Sequence, residues 1–190
     1  MSPVLVLAVV VAMTTLSLAA PDGASAQGFN VQVDALIAFK NGLQDPQGAL
    51  ASWDPSSVDP CTWFHVTCDA NNNVQSINLG LSGLSGTISP RLADLHSLRD
   101  LSLEDNSLSG SIPGELGHVT SLFALNLFNN RLTGSIPPQL TLLPNLQLLH
   151  LFNNDLSGPI PTGGSFSRFS SDSFMPGNPR LCGAVINKHC

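Results

Sequence analysis

Four cysteines carry the most reactive side chains of this 190-residue sequence, and they form two close pairs. Cys61 and Cys68 lie in the first half of the chain, and Cys182 and Cys190 lie at its end. Three disulfide pairings are possible, and the spacing favours the two local ones. Zinc binding is the alternative, but the sequence has no Cys-x-x-Cys and its nearby histidines are not spaced as zinc ligands. We therefore expect two structural disulfides and no metal site.

Carboxylate and hydroxyl side chains give little support for catalysis. Glu104 and Asp105 are adjacent acids that could in principle transfer protons. They are expected on an open strand surface, however, where nothing desolvates them. The serines fall in turns, and neither Gly-x-Ser-x-Gly nor His-Glu-x-x-His occurs. The sequence therefore predicts no enzyme and no cofactor.

The balance of charge excludes nucleic acid as a principal partner. The chain has 13 acidic and 7 basic side chains and a formal net charge of -6. A protein that grips a phosphate backbone needs an excess of Lys and Arg on the contact surface. We therefore expect no nucleic-acid binding.

The N-terminal segment has the pattern of a secretion signal. Residues 4–18 are almost entirely apolar, and this run is shorter than the roughly 20 residues that span a bilayer as a helix. Ala24-Ser25-Ala26 fits the small-x-small pattern that precedes cleavage. We expect residues 1–26 to be a signal peptide and the mature chain to lack a transmembrane segment. An uncleaved anchor is the alternative, because no Lys or Arg precedes the apolar run.

A period of 24 residues organises the middle of the chain into the copies 74–97, 98–121, 122–145 and 146–169. Positions 1, 4, 6, 11 and 15 of every copy are apolar. Positions 4 and 6 alternate as in a short strand, and one copy alone cannot bury its apolar positions. Stacked copies form a continuous core, which predicts a solenoid.

Polar residues at fixed positions predict how each copy turns. Position 9 is Asn106, Asn130 and Asn154 in the last three copies, and these amides are expected to bond the turn of their own and the next repeat. Position 13 is always glycine, which indicates a turn or a close approach. Ile-Pro at positions 15 and 16 predicts an extended, non-helical convex side.

The repeated line Leu-x-x-Leu-x-Leu-x-x-Asn-x-Leu-Ser/Thr-Gly-x-Ile-Pro resembles the plant-specific class of leucine-rich repeat. The segments 34–40, 50–54 and 60–68 are similar to the N-terminal cap of somatic embryogenesis receptor kinases and of related small secreted proteins. The resemblance implies an α/β fold: a leucine-rich repeat solenoid with short parallel β-strands on the concave face. It also implies a helical, disulfide-bonded N-terminal cap at 27–73 and a C-terminal cap at 170–190. Because the fourth repeat has Gly164 and Ser167 in place of its convex leucines, Phe166, Phe169 and Phe174 are expected to cover the end of the core.

The concave face is the predicted binding surface, because aromatic side chains there are not needed by the core. The resemblance adds the cap pair Phe64-His65, which matches residues that touch a steroid hormone in the family. It also shows that Asp100 and Glu104 replace two tyrosines of the family's receptor-contacting surface. The predicted partner-binding residues are Phe64, His65, Asp100, Glu104, Phe123, Asn126, Phe128, His150 and Phe152.

The resemblance implies a secreted protein-binding module of plant defence or development, acting in the apoplast as a soluble adaptor or co-receptor-like component. The expected partner is a receptor kinase ectodomain or a defence protein. Two alternatives stay open. One is inhibition of microbial cell-wall-degrading enzymes, and the other is an adaptor at the plasma membrane or in endosomes that binds hypersensitive-induced-reaction proteins.

Overall fold

The structure is a computed structural model that describes residues 30–190, so the predicted signal peptide lies outside the described residues. It contains one α-helix, α1 (Val31–Asn41), within this range. The strands in chain order, β1 to β11, are Leu43–Gln44, Val66–Cys68, Val74–Asn78, Ser85–Thr87, Asp100–Ser102, Ser107–Ser111, Ala124–Asn126, Arg131–Gly134, Leu148–His150, Asp155–Pro159 and Arg180–Cys182. The 3-10 helices are Pro60–Thr62, Pro90–Asp94, Gly114–His118, Pro138–Leu142, Gly164–Arg168, Ser171–Ser173 and Ala184–Ile186.

The predicted concave sheet is confirmed, with strand order β2-β3-β5-β7-β9. The repeat strands β3, β5, β7 and β9 are parallel, and their register steps by one repeat, so that Ser76, Asp100, Ala124 and Leu148 are neighbours. The cap strand β2 pairs antiparallel to β3. Side chains of the same repeat position therefore form columns that run across the sheet.

The core includes every residue that the period selects, together with apolar side chains of the N-terminal cap and of convex repeat positions 19 and 22. All 20 apolar side chains at positions 1, 4, 6, 11 and 15 are buried, and the most accessible of them, Ile160, is 5% exposed. The five predicted core positions are therefore filled by buried side chains in all four copies.

A second sheet, which the sequence did not predict, has the order β1-β4-β6-β8-β10-β11. The strands β4, β6, β8 and β10 cover repeat positions 10 to 14 and pair in parallel, as β10 and β11 also do. The convex side also differs from the prediction. Pro113 and Pro137 are extended, but a 3-10 helix begins directly after each of them, so the convex side is not non-helical.

Recurring amides form a row that we call the asparagine ladder: Asn106, Asn130 and Asn154 at position 9, and Asn178 in the C-terminal segment. Nδ2 of Asn130 donates to carbonyls of its own repeat and to Leu103 O, while its Oδ1 accepts from Leu108 N. Both cross-repeat bonds reach the preceding repeat, whereas the prediction named the next one. The ladder continues into the C-terminal segment, where Asn178 occupies the same place.

The N-terminal cap closes the first end of the core. Asn30 caps α1 through hydrogen bonds from Gln32 N and Val33 N to its Oδ1. Trp53 and Trp63 stack with ring centroids 5.6 Å apart. The cap is joined to the first repeat at β1 and β4, where a Cβ on Gly86 would collide with the carbonyl oxygen of Gly42.

Both predicted disulfides are confirmed, Cys61–Cys68 and Cys182–Cys190. At the C-terminal end, Phe166 and Phe174 are buried and Phe169 packs on Phe166, as predicted for the end of the core. In residues 30–190, no helix is long and apolar enough to cross a bilayer. The same residues contain no group of three His, Cys, Asp or Glu side chains that could hold a metal ion.

Candidate protein-binding surface

Three aromatic rings form one cluster on the last two repeats of the concave face. Phe128 and Phe152 stack with centroids 4.6 Å apart and planes inclined by 16°. The ring of His150 meets both of them edge-on, at 6.1 and 6.0 Å. All three side chains are partly exposed. The cluster therefore presents preassembled apolar surface to solvent.

The strands place these rings next to each other. Phe128 and Phe152 occupy position 7 of adjacent repeats, just after β7 and β9, and parallel strands lie about 4.8 Å apart. Leu127 and Leu151, one residue earlier, point into the core and are fully buried. Alternation along the chain then directs the position-7 rings outward.

Two hydrogen-bonded rows hold the polar side chains around the cluster. Along position 5, Asn126 Nδ2 donates to Ser102 Oγ (3.3 Å), and His150 Nδ1 lies 2.8 Å from Asn126 Oδ1. Because an amide oxygen only accepts, His150 Nδ1 carries a proton in this pair. These two contacts join side chains of three neighbouring repeats into one row.

A second polar row runs along position 8 through Asp105, Asn129 and Asn153. Asn129 Nδ2 donates to Asp105 Oδ1 (2.6 Å), and Asn153 Nδ2 donates to Asn129 Oδ1 (2.7 Å). All three residues have a positive φ between 53° and 55°. This left-handed conformation suits Asn and Asp, whose side chains bond locally. The row fixes one border of the face.

Phe123 lies apart from the aromatic cluster. It occupies position 2 of the third repeat, and the guanidinium of Arg99 lies 5.7 Å from its ring centroid, within the range of a cation–π contact. A shallow cavity beside them is lined also by Ser121 and Asn145. Arg99 is thereby associated with a ring rather than with the nearby acids.

The two acids among the predicted binding residues lie on the second repeat, and the Oε2 atom of Glu104 is buried there, so the prediction that nothing desolvates this acid is wrong. Asp100 belongs to β5, and Glu104 follows that strand at position 7, next to Phe128 in the same column. Within residues 30–190, the ion pairs are Arg91–Asp94 and Arg180–Asp155, so neither acid has an ionic partner there. This part of the face is acidic, whereas the next two repeats carry no Asp, Glu, Lys or Arg at their concave positions.

Phe64 and His65 lie at the opposite end of the same sheet, in the turn that precedes β2. Phe64 is 72% exposed. His65 has φ 70°, and its carbonyl accepts from Asn78 N, which fixes it against the first repeat. Three strand spacings, about 14 Å, separate β2 from β7. The cap pair and the aromatic cluster therefore share one face without touching.

The structure thus brings together Asn126, Phe128, His150 and Phe152 and places Glu104 beside them, while Phe123 and the cap pair lie at separate points. The sequence prediction missed Leu81. It occupies position 8 of the first repeat with φ 57° and is 77% exposed. The signal was present in the sequence, because the other three copies have Asp or Asn at this position.

Residues 29–69 match the family described as leucine rich repeat N-terminal domain. Residues 97–119, 121–143 and 145–166 match the family described as leucine rich repeat. The matched segments correspond to the cap and to the second, third and fourth repeats.

Plant proteins are similar to this chain throughout most of its length. Leucine-rich repeat protein 1 of Oryza sativa subsp. japonica is 51% identical over 76 residues, which is 40% of this chain and 36% of the relative. The match therefore spans about a third of that relative. The BIR2 ectodomain of Arabidopsis thaliana superposes with a TM-score of 0.60 at 32% identity, covering 84% of this chain and 98% of the ectodomain. A chain of the BIR3–SERK2 complex of Arabidopsis thaliana gives 0.59 at 34% identity, covering 82% and 97%.

Proposed function

The chain belongs to the plant leucine-rich repeat proteins, and on this premise we propose that it is a secreted, non-enzymatic module that binds another protein through its concave face. Its similarity to receptor ectodomains and its two disulfides indicate an extracellular location. The finer role that we propose is a soluble adaptor or co-receptor-like component in plant defence or developmental signalling, acting in the apoplast. The proposed partner is the ectodomain of a receptor kinase or a defence protein.

The observation that carries this proposal is the exposed stack of Phe128 and Phe152 with His150. Aromatic side chains that cluster at a surface mark an interaction site more often than single exposed ones do, and Leu127 and Leu151 already fill the core beneath these rings. Aromatic side chains in the centre of a surface contribute strongly to protein–protein binding. The stack is also preorganised, so little side-chain entropy is lost when a partner covers it.

The polar rows support the same function. Asn126, His150 and the position-8 residues surround the rings with groups that are already hydrogen-bonded to each other. An apolar centre with a polar rim is the usual organisation of a protein-binding surface. The BIR3–SERK2 complex contains a chain of similar fold that is bound to another protein. We infer a protein partner for this chain on both grounds.

The test is binding of the purified chain to a panel of plant receptor kinase ectodomains, measured by biolayer interferometry. Phe128→Ala/Phe152→Ala is the test variant, and Leu142→Ala is the matched control, because Leu142 is 72% exposed on the convex side. We expect an ectodomain that binds the wild type and the control equally. The double variant should bind at least about 30-fold more weakly, as expected for a hot spot of about 2 kcal/mol. Equal binding by all three proteins would contradict the proposal.

The alternative functions give different results with the same three proteins. An inhibitor would slow a microbial polygalacturonase directly, although the concave face of four repeats is only about 20 Å tall. An adaptor for hypersensitive-induced-reaction proteins would coprecipitate with them from membranes. Loss of either activity in Phe128→Ala/Phe152→Ala, without ectodomain binding, would assign the surface to that partner.

A further inference from the structure

The loop that leads the fourth repeat onto the convex side is longer than its counterparts in the first three repeats. In those repeats, a 3-10 helix begins directly after position 16. In the fourth repeat, Thr162 and Gly163 separate Pro161 from the helix at 164–168. Gly163 has a φ of 81°, a left-handed conformation that suits glycine. The fourth repeat therefore has two extra residues before its convex helix.

Because of this shift, two phenylalanines take the places that leucines hold in the repeat before. Phe169 N donates to Phe166 O, as Leu143 N does to Leu140 O at the end of the preceding 3-10 helix. The two leucines are fully buried, whereas Phe166 is 6% exposed and Phe169 is half-buried. The two rings meet edge-on, with their centroids 5.6 Å apart. Aromatic rings therefore replace branched aliphatic side chains at this end of the core.

A cavity of about 270 Å³ lies between the longer loop, these two rings and the C-terminal segment. The buried side chains that line it are those of Ile160, Phe166 and Phe174. Phe169 and Val185, which are half-buried, line it as well. No lining residue carries a charge, and several of the others are exposed. The cavity is therefore mainly apolar and open to solvent.

The size and the lining of this cavity define the ligand that it suits. We propose that the cavity binds a small neutral aromatic molecule. An apolar cavity of about 150 Å³ is large enough for benzene, so this one accommodates a substituted ring. The surrounding phenylalanines give such a ring edge-to-face contacts. A charged ligand would lose its hydration and gain no ionic partner, because the lining is uncharged. None of the predicted partner-binding residues lines the cavity, so this inference is independent of the concave-face function.

The experiment uses toluene as the probe and benzoate as its charged counterpart of nearly the same size. The ¹⁵N-labelled protein is titrated with each compound and its amide signals are followed by NMR. Toluene should bind saturably, with a Kd on the order of 0.1 to 1 mM from the transfer of its apolar carbons out of water. Its binding should shift the amide signals of residues 160–169 and 184–185. Benzoate should cause no saturable shift of these signals.

Two variants change the cavity in opposite ways. Val185→Phe adds a ring to its lining and should weaken toluene binding at least about tenfold, because it fills the space that the ligand needs. Val58→Phe is the matched control and should bind like the wild type, because Val58 is 64% exposed in the N-terminal cap. Phe169→Ala removes one aromatic side chain from the lining and should also weaken binding. This second variant decides the matter if Val185→Phe fails to fold.

Three outcomes would overturn the proposal. One is the lack of saturable toluene binding at residues 160–169 and 184–185. Another is benzoate binding as tight as that of toluene, or toluene binding that neither Val185→Phe nor Phe169→Ala weakens. The third is a dimer, seen by sedimentation of the same samples, that Val185→Phe dissociates, because the cavity would then hold a side chain of a second copy. Each of these outcomes leaves the concave-face function standing.

Discussion

Asn178→Ala is expected to destabilise the C-terminal end of the solenoid by about 4 kcal/mol. The side chain is fully buried and makes three hydrogen bonds. Its Nδ2 donates to Leu151 O (2.9 Å) and Phe174 O (2.8 Å), and its Oδ1 accepts from Leu156 N (2.9 Å). At about 1 kcal/mol for each bond, their loss contributes about 3 kcal/mol. The φ of 50° adds about 1 kcal/mol, because alanine is disfavoured in the left-handed region.

The control for the backbone contribution is Asn187→Ala. Asn187 has a similar φ of 53° in the same segment, but it is exposed. Its replacement should therefore cost only about 1 kcal/mol. The difference between the two variants isolates the hydrogen bonds of the buried amide.

Amide hydrogen exchange is the most direct assay, because a solenoid can open at one end without unfolding globally. Asn178→Ala should accelerate exchange of the Leu156 amide strongly. The Leu132 amide, which donates to Asn154 Oδ1 one repeat earlier, should change much less. Guanidinium unfolding followed by circular dichroism gives the total change. Equal costs for Asn178→Ala and Asn187→Ala, with unchanged exchange at Leu156, would refute the role of the ladder at this end.

Three further predictions concern stability. Leu81→Asn should raise the free energy of unfolding by about 1 kcal/mol, since Leu81 is exposed in a left-handed conformation that asparagine tolerates; a thermal melt checks this. Cys182→Ser should lower the melting temperature and fray the C-terminal end, because the lost bridge to Cys190 closes a short loop worth about 2.5 kcal/mol; an unchanged melt would show that this disulfide is not structural. Hydrogen bonds from the backbone N–H and side chain of Asn73 lower the pKa of Asp69 below its ordinary 3.8, so the stabilisation is present above pH 3.8 and is lost as the pH falls through the lower folded value. Melts between pH 6 and pH 2.5 should show a weaker acid dependence for Asp69→Asn than for the wild type.

The part of the core that lies at five repeat positions could be predicted from the sequence, because burial in a solenoid follows the repeat position directly. When the copies stack, the apolar side chains at these five positions are buried between neighbouring repeats. The local disulfides followed from spacing for a similar reason, since a short loop brings its two ends together without help from the rest of the fold.

The second sheet could not be predicted in the same way. Its strands contain segments such as Ser107–Ser111, which are rich in serine and glycine and have low intrinsic strand propensity. They pair because the asparagine ladder fixes the spacing between neighbouring turns, for example by accepting from Leu84 N and Leu108 N. The strands of the second sheet pair as a consequence of the stacking of the repeats, and no local sequence pattern predicts this pairing.

The sequence predicted which residues of the candidate site share a repeat position, but it did not predict the contacts that their side chains make. The period placed Glu104 and Phe128 side by side in position 7, which is correct. The position of the Glu104 carboxylate depends on a residue of another repeat, because a Cβ on Gly80 would lie only 2.5 Å from Glu104 Oε1. The left-handed backbone of Leu81 is likewise recognised as unusual only because Asp105 and the asparagines of position 8 have the same conformation. Such features require the three-dimensional neighbours of a residue, which the linear pattern supplies only in part.

The backward reach of the asparagine ladder gives the solenoid a direction during synthesis. Each amide completes the turn of the repeat before it, as Asn130 does for Leu108. A ribosome releases the chain from its N-terminus, so every newly emerged repeat has an open turn until the following asparagine leaves the exit tunnel. In the growing chain, the turn of the last repeat to emerge therefore always lacks its hydrogen bonds to the next asparagine. The turn of the fourth repeat is completed only by Asn178, which is fully buried and accepts a hydrogen bond from Leu156 N.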